Sequence, residues 1–230
     1  MHALTVVAMG VASALLSLSA AAQMDCAAAS AAVIPLPVQV SNVAIPNSRS
    51  NPQINQRHIF CGEINAAGNA VGFHSRPGNH DPLVGPLALD PVAARTIGPR
   101  TYMVPYGLNQ PNDYRYANAN VEVFNVATGT WVAKAGPSTF FPDSCTQQQV
   151  VASIRYAFMH LSSGLVMGGG NSQIFFGPSA PTVIAVVPNP YCVDEQGLAF
   201  TVGGYLNGIP PAPGAALVWW VSSAFPIAAF

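Results

Sequence analysis

Twenty-one prolines and twenty glycines are scattered through 230 residues, and they restrict this chain more than any other feature. Proline removes a backbone donor and glycine weakens regular elements, so long helices are disfavoured and short strands joined by turns are favoured. Asn79 to Tyr116 is the extreme case, with Pro82, Pro86, Pro91, Pro99, Pro105 and Pro111. It reads as ordered loop, with one helical turn opened by Asp90-Pro91 at Val92 to Arg95. Half of the chain is hydrophobic, enough for a sizeable core. Only 7% is charged, against roughly a quarter in ordinary soluble domains. The net charge of −1 excludes a bulk positive field, so nucleic-acid binding has to be local.

Leu4 to Ala22 is a run of apolar and small residues ending Ser19-Ala20-Ala21-Ala22. Small residues at Ala20 and Ala22 suit a signal peptidase cutting after Ala22. The expectation is a signal peptide over 1–22 and export to the extracellular space. Residues 23–56 are rich in Ala, Ser, Pro and Asn and read as an extended lead-in. The domain proper is expected over 57–230. The four cysteines, Cys26, Cys61, Cys145 and Cys192, fit no compact zinc spacing. In an exported chain they predict two disulfides, with three connectivities open.

One helix stands out. Val150, Ile154, Ala157, Phe158 and Leu161 fall on one helical face, and Ser144/Gln147 and Thr146/Gln149 are both possible capping boxes. This main helix is expected over about 146–162, with Gly164 as its C-cap. Val121 to Val126 and Trp131 to Lys134 flank Ala127-Thr128-Gly129-Thr130, a hairpin signal. Gly168 to Ser172 reads as a loop. Further strands are predicted over Thr182 to Val187, Leu198 to Leu206 and Ala216 to Phe225.

The chemistry concentrates in Arg57 to Pro77. His58 and His74 lie sixteen residues apart, separated by the turn-rich Asn65-Ala66-Ala67-Gly68-Asn69. A hairpin would carry the chain out from His58 and back at His74, facing two imidazoles into one cleft. Two imidazoles can act as acid and base in one reaction. With a lysine for charge on phosphorus they meet the needs of RNA cleavage by the internal 2′-OH, without a metal. The competing readings are ordinary histidines, or metal ligation for which only Glu63 and Asp81 offer unpatterned help. His80 reads as a loop residue, and His160 as a partner of carbonyls at the helix end. Tyr205, Trp219 and Trp220 read as core.

The stretch His58-Ile59-Phe60-Cys61-Gly62-Glu63, followed by Gly72-Phe73-His74, resembles the EndoU family of endoribonucleases, and its bacterial branch in particular. Lys134-Ala135-Gly136-Pro137-Ser138 is similar to the family's catalytic lysine placed four residues before a uracil-reading serine. Ser223-Ala224-Phe225-Pro226 resembles its closing Thr-x-Tyr-Pro. The resemblance implies an α+β fold in which twisted antiparallel sheets flank a cleft. It implies His74 as general base, His58 as general acid and Lys134 as stabiliser of charge at phosphorus. It implies Ser138, Ser223 and Phe225 as base contacts, and Arg76 just beyond the motif is a further candidate for phosphate. The implied activity is cleavage of single-stranded RNA at uridines, leaving a 2′,3′-cyclic phosphate. No cofactor is required by this scheme, though manganese serves some members. Bacterial relatives are often toxins, which implies an immunity protein beside the RNA substrate, and no membrane partner after signal cleavage. Phe225 departs from the family's tyrosine. The alternative it raises is a secreted binding protein on the same fold with impaired catalysis.

Overall fold

A computed structural model describes residues 23–26, 38–39, 54–85, 91–103, 116–162, 166–169, 172–183, 188–209 and 218–227. The predicted signal segment, most of the lead-in and Gly164 lie outside these residues. In chain order the elements are β1 (Val38–Gln39), α1 (Gln56–Phe60), β2 (Glu63–Ile64), β3 (Ala70–Val71), β4 (Ala94–Met103), β5 (Tyr116–Asn125), β6 (Thr130–Ala133) and β7 (Ser138–Phe140). Then follow α2 (Gln147–Met159), β8 (Val166–Gly169), β9 (Ser172–Pro178), β10 (Thr201–Ile209) and β11 (Val218–Pro226).

The fold is α+β. Strands β4, β5 and β6 lie side by side, and β7 pairs with β5 beyond the end of β6. The second large sheet has the order β1-β11-β10-β9-β8, and β2 with β3 form a small hairpin. All these strand pairs are antiparallel. Each large sheet has its own apolar core. Phe73, Ala94, Val121, Val123 and Phe140 cluster beneath the first. Phe60, Phe141, Val150, Ile154, Phe158, Phe175, Val202 and Val221 cluster beneath the second.

Helix α2 forms as its sequence predicts. Thr146 caps its N-terminus and Gln149 returns the bond, completing one of the two expected capping boxes. Val150, Ile154, Ala157 and Phe158 are buried on one face. The helix ends at Met159 with His160 as C-cap, earlier than expected, and the His160 ring lies 2.9 Å from the Tyr156 carbonyl oxygen. Gly177 lets β9 run against α2, because a Cβ there would overlap the backbone of Ala157.

Four local expectations need correction. Ala94 to Met103 is a strand and not loop with a helical turn. It is the outer strand of its sheet, and its register shifts between Ile97 and Thr101. Pro99 sits inside that irregularity, where the missing N–H interrupts no ladder bond. Gly168 and Gly169 end β8 and Ser172 begins β9, so the presumed loop is the tip of a hairpin. Strand β10 starts at Thr201 and runs on to Ile209, past the predicted end at Leu206. Finally, Thr182 and Val183 are not strand, and 184–187 lie outside the described residues.

The cysteines pair as Cys26–Cys61 and Cys145–Cys192. The first bridge ties the lead-in to the end of α1. The second ties the approach to α2 to the segment before β10.

Candidate active site

His58 lies in the short helix α1 and not on a strand. Asn55 caps that helix by accepting from the His58 backbone N–H at 3.1 Å. The His58 ring meets the Glu63 carboxylate, Nδ1 to Oε1, at 2.8 Å. A carboxylate can only accept, so Nδ1 carries the proton and Nε2 is the nitrogen left for the cleft. The hydrogen bond from His58 holds Glu63 below the usual carboxylate range; burial opposes it, and the positive charges of His58 and Arg57 add to it.

His74 follows a turn built on two left-handed residues, Gly72 at φ 77° and Phe73 at φ 61°. The turn is pinned to α1 by three backbone bonds, from Phe73 N–H to the His58 carbonyl and from His74 and Ser75 N–H to the Ile59 carbonyl. A non-glycine residue held at positive φ is a costly conformation that the buried surroundings of Phe73 impose. Its effect is to bring the His74 ring within 5.9 Å of the His58 ring, centroid to centroid. The Thr139 carbonyl lies 3.0 Å from His74 Nδ1, which again leaves Nε2 as the free lone pair. His74 is 7% exposed. Burial lowers its pKa well below 6.5, the charges of Lys134 and His58 lower it further, and the Thr139 bond opposes them. His74 is thus a neutral imidazole, a base, across the neutral range.

Gly72 is the pivot of this turn. A Cβ at that position would overlap the His58 carbonyl oxygen. Gly72→Ala is expected to cost about 2–5 kcal/mol, from the left-handed backbone plus local overpacking. Urea denaturation followed by circular dichroism measures that cost.

Lys134 follows β6 directly. Its backbone bridges to Ala70 of β3 and donates to the Val121 carbonyl. Its Nζ donates to the Gly72 carbonyl at 3.2 Å and to Ser138 Oγ at 2.5 Å. Burial lowers its pKa to about 8. The histidines and the lysine therefore meet around one peptide, Gly72.

These groups line a cavity of about 690 Å³. Its opposite wall comes from β10 and β11 and includes Ser223 and Phe225. The Phe225 ring packs on His74 at 5.2 Å and 33°. It shields the imidazole that burial keeps neutral.

Two expected contacts lie elsewhere. Ser138 is 1% exposed, and its hydroxyl donates to the Gly72 carbonyl at 3.1 Å while accepting from Lys134. Ser138 is absent from the cavity wall, and both bonds hold its hydroxyl beneath the lysine, so in this arrangement it positions Lys134. Arg76 is absent from the cavity wall. Its guanidinium pairs with Asp81 at 2.9 Å and reaches Thr96 and the Asn79 carbonyl. Nearby Arg100 pairs with Asp143 and Asn79. This network fastens the chain after His74 to β4 and to the approach to α2.

Conversely, Tyr205 and Trp220, which the sequence suggests are core, line the cavity, and Trp219's side chain lies outside the described residues. Alternation marks the two faces of a strand without saying which face a cleft uses. His80 is exposed, as expected of a loop. Among the described residues no three His, Cys, Asp or Glu side chains group as metal ligands.

The family model for the bacterial EndoU nuclease matches residues 52–166. That stretch holds both histidines, Lys134 and Ser138, and stops short of β9, β10 and β11. No curated protein and no solved structure matches the chain. With the family model covering half of its length, the chain belongs to the bacterial EndoU nuclease family.

Proposed function

We propose that this nuclease is a secreted endoribonuclease that cuts single-stranded RNA on the 3′ side of uridine. The observation that carries the reading is the pairing of two histidines in unlike surroundings. A carboxylate stands beside His58, whereas His74 is buried near an ammonium group. Environments that differ in this way separate acid from base.

In the proposed reaction His74 Nε2 takes the proton of the 2′-OH. The freed oxygen bonds to phosphorus, the bond from phosphorus to the 5′-oxygen breaks, and His58 delivers a proton to that departing oxygen. The products are a 2′,3′-cyclic phosphate and a 5′-hydroxyl. The Lys134 ammonium balances charge on the non-bridging oxygens, held to its task by Ser138 and the Gly72 carbonyl. Ser223 and Phe225 form the wall that receives the uracil. Glu63 is a positioning residue, acting through the His58 ring. The scheme needs no resident metal.

The two disulfides support an oxidising destination. They accord with removal of 1–22, with 23–56 as the lead-in to a nuclease domain over 57–230. A toxin role fits a secreted nuclease of this family, and with it an immunity protein that occupies the cleft.

The test is a uridine-containing oligoribonucleotide incubated with purified protein, with and without EDTA and manganese. Cleavage 3′ to uridine with a cyclic phosphate end, undiminished by EDTA, is the expected result. Intact substrate under every condition would overturn the proposal and return the chain to the alternative of a binding protein on this fold.

A further inference from the structure

The cavity wall continues past the uracil position. In the ladder between β10 and β11, Gly203 pairs with Phe225, Tyr205 with Ser223 and Asn207 with Trp220. The register shifts after Tyr205, so that β11 carries one extra residue, Ser222, at the bulge. Ser222 and Ser223 both line the cavity, and Ser222 donates to the Tyr205 carbonyl at 3.1 Å. Four strand residues separate the level of Phe225 from that of Asn207, about 13 Å at the usual rise. All of these except Gly203 line the same cavity as the histidines.

The chemistry of this extension is uniform. Tyr205, Asn207, Trp220 and Ser222 offer aromatic faces and neutral hydrogen-bonding groups, and none carries a charge. Its aromatic faces suit the stacking of a nucleobase, and its neutral groups can bond to the edge of that base. Tyr205 is 40% exposed, whereas six phenylalanines among the described residues are fully buried. Its ring lies 5.9 Å from that of Phe225 at 44°, so the two rings are consecutive along the wall. Phe225 is engaged on one side by His74, which leaves Tyr205 as the open platform.

We propose that Tyr205, with Asn207 and Trp220 beside it, forms a second base subsite that binds the nucleotide adjoining the uridine. The inference rests on the proposed RNA substrate and extends it. The enzyme would then recognise at least two successive bases of a single strand, and the second would be held mainly by stacking and therefore with little regard to its identity.

The experiment separates binding from cleavage. The probe is a short oligonucleotide with one central 2′-deoxyuridine, which lacks the attacking hydroxyl, flanked by adenines. Two further versions carry an abasic site on the 5′ or the 3′ flank. The intact probe is expected to bind the wild type about 10-fold more tightly than one of the abasic versions, within the range of a single stacking contact. Tyr205→Ala should bind the intact probe about 10-fold more weakly and lose the distinction, while Tyr205→Phe should keep most of it. An unchanged affinity in Tyr205→Ala, or an equal loss for all three probes, would overturn the subsite. Cleavage of the matching ribo-oligonucleotide decides the nuclease reading separately, because binding is measured on a probe that cannot be cut.

Discussion

Cleavage of a uridine-containing oligonucleotide is expected to fall by about 10²–10⁴-fold in His74→Ala, the usual contribution of a positioned acid or base. The wild-type pH profile should show why. A base whose pKa is lowered by burial stays unprotonated further into the acid range, so the acid limb should lie below that of an ordinary histidine. Lys134 is cationic below about 8 and loses its charge above it, so from about pH 8 the lysine should add its own share to the alkaline decline that the general acid His58 imposes. Lys134→Arg retains a charge there and should remove the lysine's share of that decline, leaving the part set by His58. It should also lower the plateau, because a planar guanidinium does not reproduce the compact contacts with Ser138 and the Gly72 carbonyl. Wild-type rates in His74→Ala would sink the residue assignment and leave the nuclease itself standing.

The same burial has a stability consequence whose sign is fixed. The pKa of His74 in the folded chain lies below its unfolded value of about 6.5. Its contribution is therefore fully present above pH 6.5 and is lost as the pH falls from there through the folded pKa, because the unfolded chain binds the proton first.

Reduction of both disulfides is the second large effect. The bridges close separate segments with sequence separations of 35 and 47 residues. In the chain-entropy description each restricts the unfolded state by about 4 kcal/mol. Together that is about 8 kcal/mol, comparable to the whole stability of many domains, about 5–15 kcal/mol. A chain so short of charge has few ion pairs to fall back on. Urea titrations with and without a thiol-free reductant, followed by circular dichroism, should show the midpoint fall by half or more. Unchanged midpoints with both bridges demonstrably reduced would contradict this. The pairs are unequal for function: Cys61 ends α1 between His58 and Glu63, so Cys26→Ser with Cys61→Ser should lose more activity per unit of lost stability than Cys145→Ser with Cys192→Ser.

Much of this architecture was legible because some segments carry their own instructions. Thr146 with Gln149 starts α2, and its apolar spacing turns that helix onto a sheet. Asn125 to Thr130 turns β5 into β6. The two histidines and Lys134 were legible as a set through the family's spacing. What escaped depended on partners distant in sequence. Pro99 argued against a strand, yet an outer strand with an irregular register accommodates it. The glycines at 168 and 169 argue for a loop, yet both belong to β8, and Gly169 pairs with Ser172 of β9. Ser138 has the right spacing for a base contact, but the Gly72 carbonyl, 66 residues away, captures its hydroxyl. Arg76 is two residues from His74, but Asp81 and Thr96 turn it away from the cleft. Spacing along a chain locates residues; the partners that consume their hydrogen bonds decide their use.

Lys134 hangs from the first large sheet and the histidines from the adjoining helix and hairpin, whereas the base wall hangs from the second large sheet. Phe225 against His74 is a direct joint between them. In engineering terms the molecule is a fixed tool holder facing an exchangeable jaw. Under the proposed function, the wall residues to alter in retuning which sequence is gripped are Tyr205, Asn207 and Trp220, because Phe225 packs on His74 and Val221 accepts from the Asn55 N–H at the cap of the helix that carries His58.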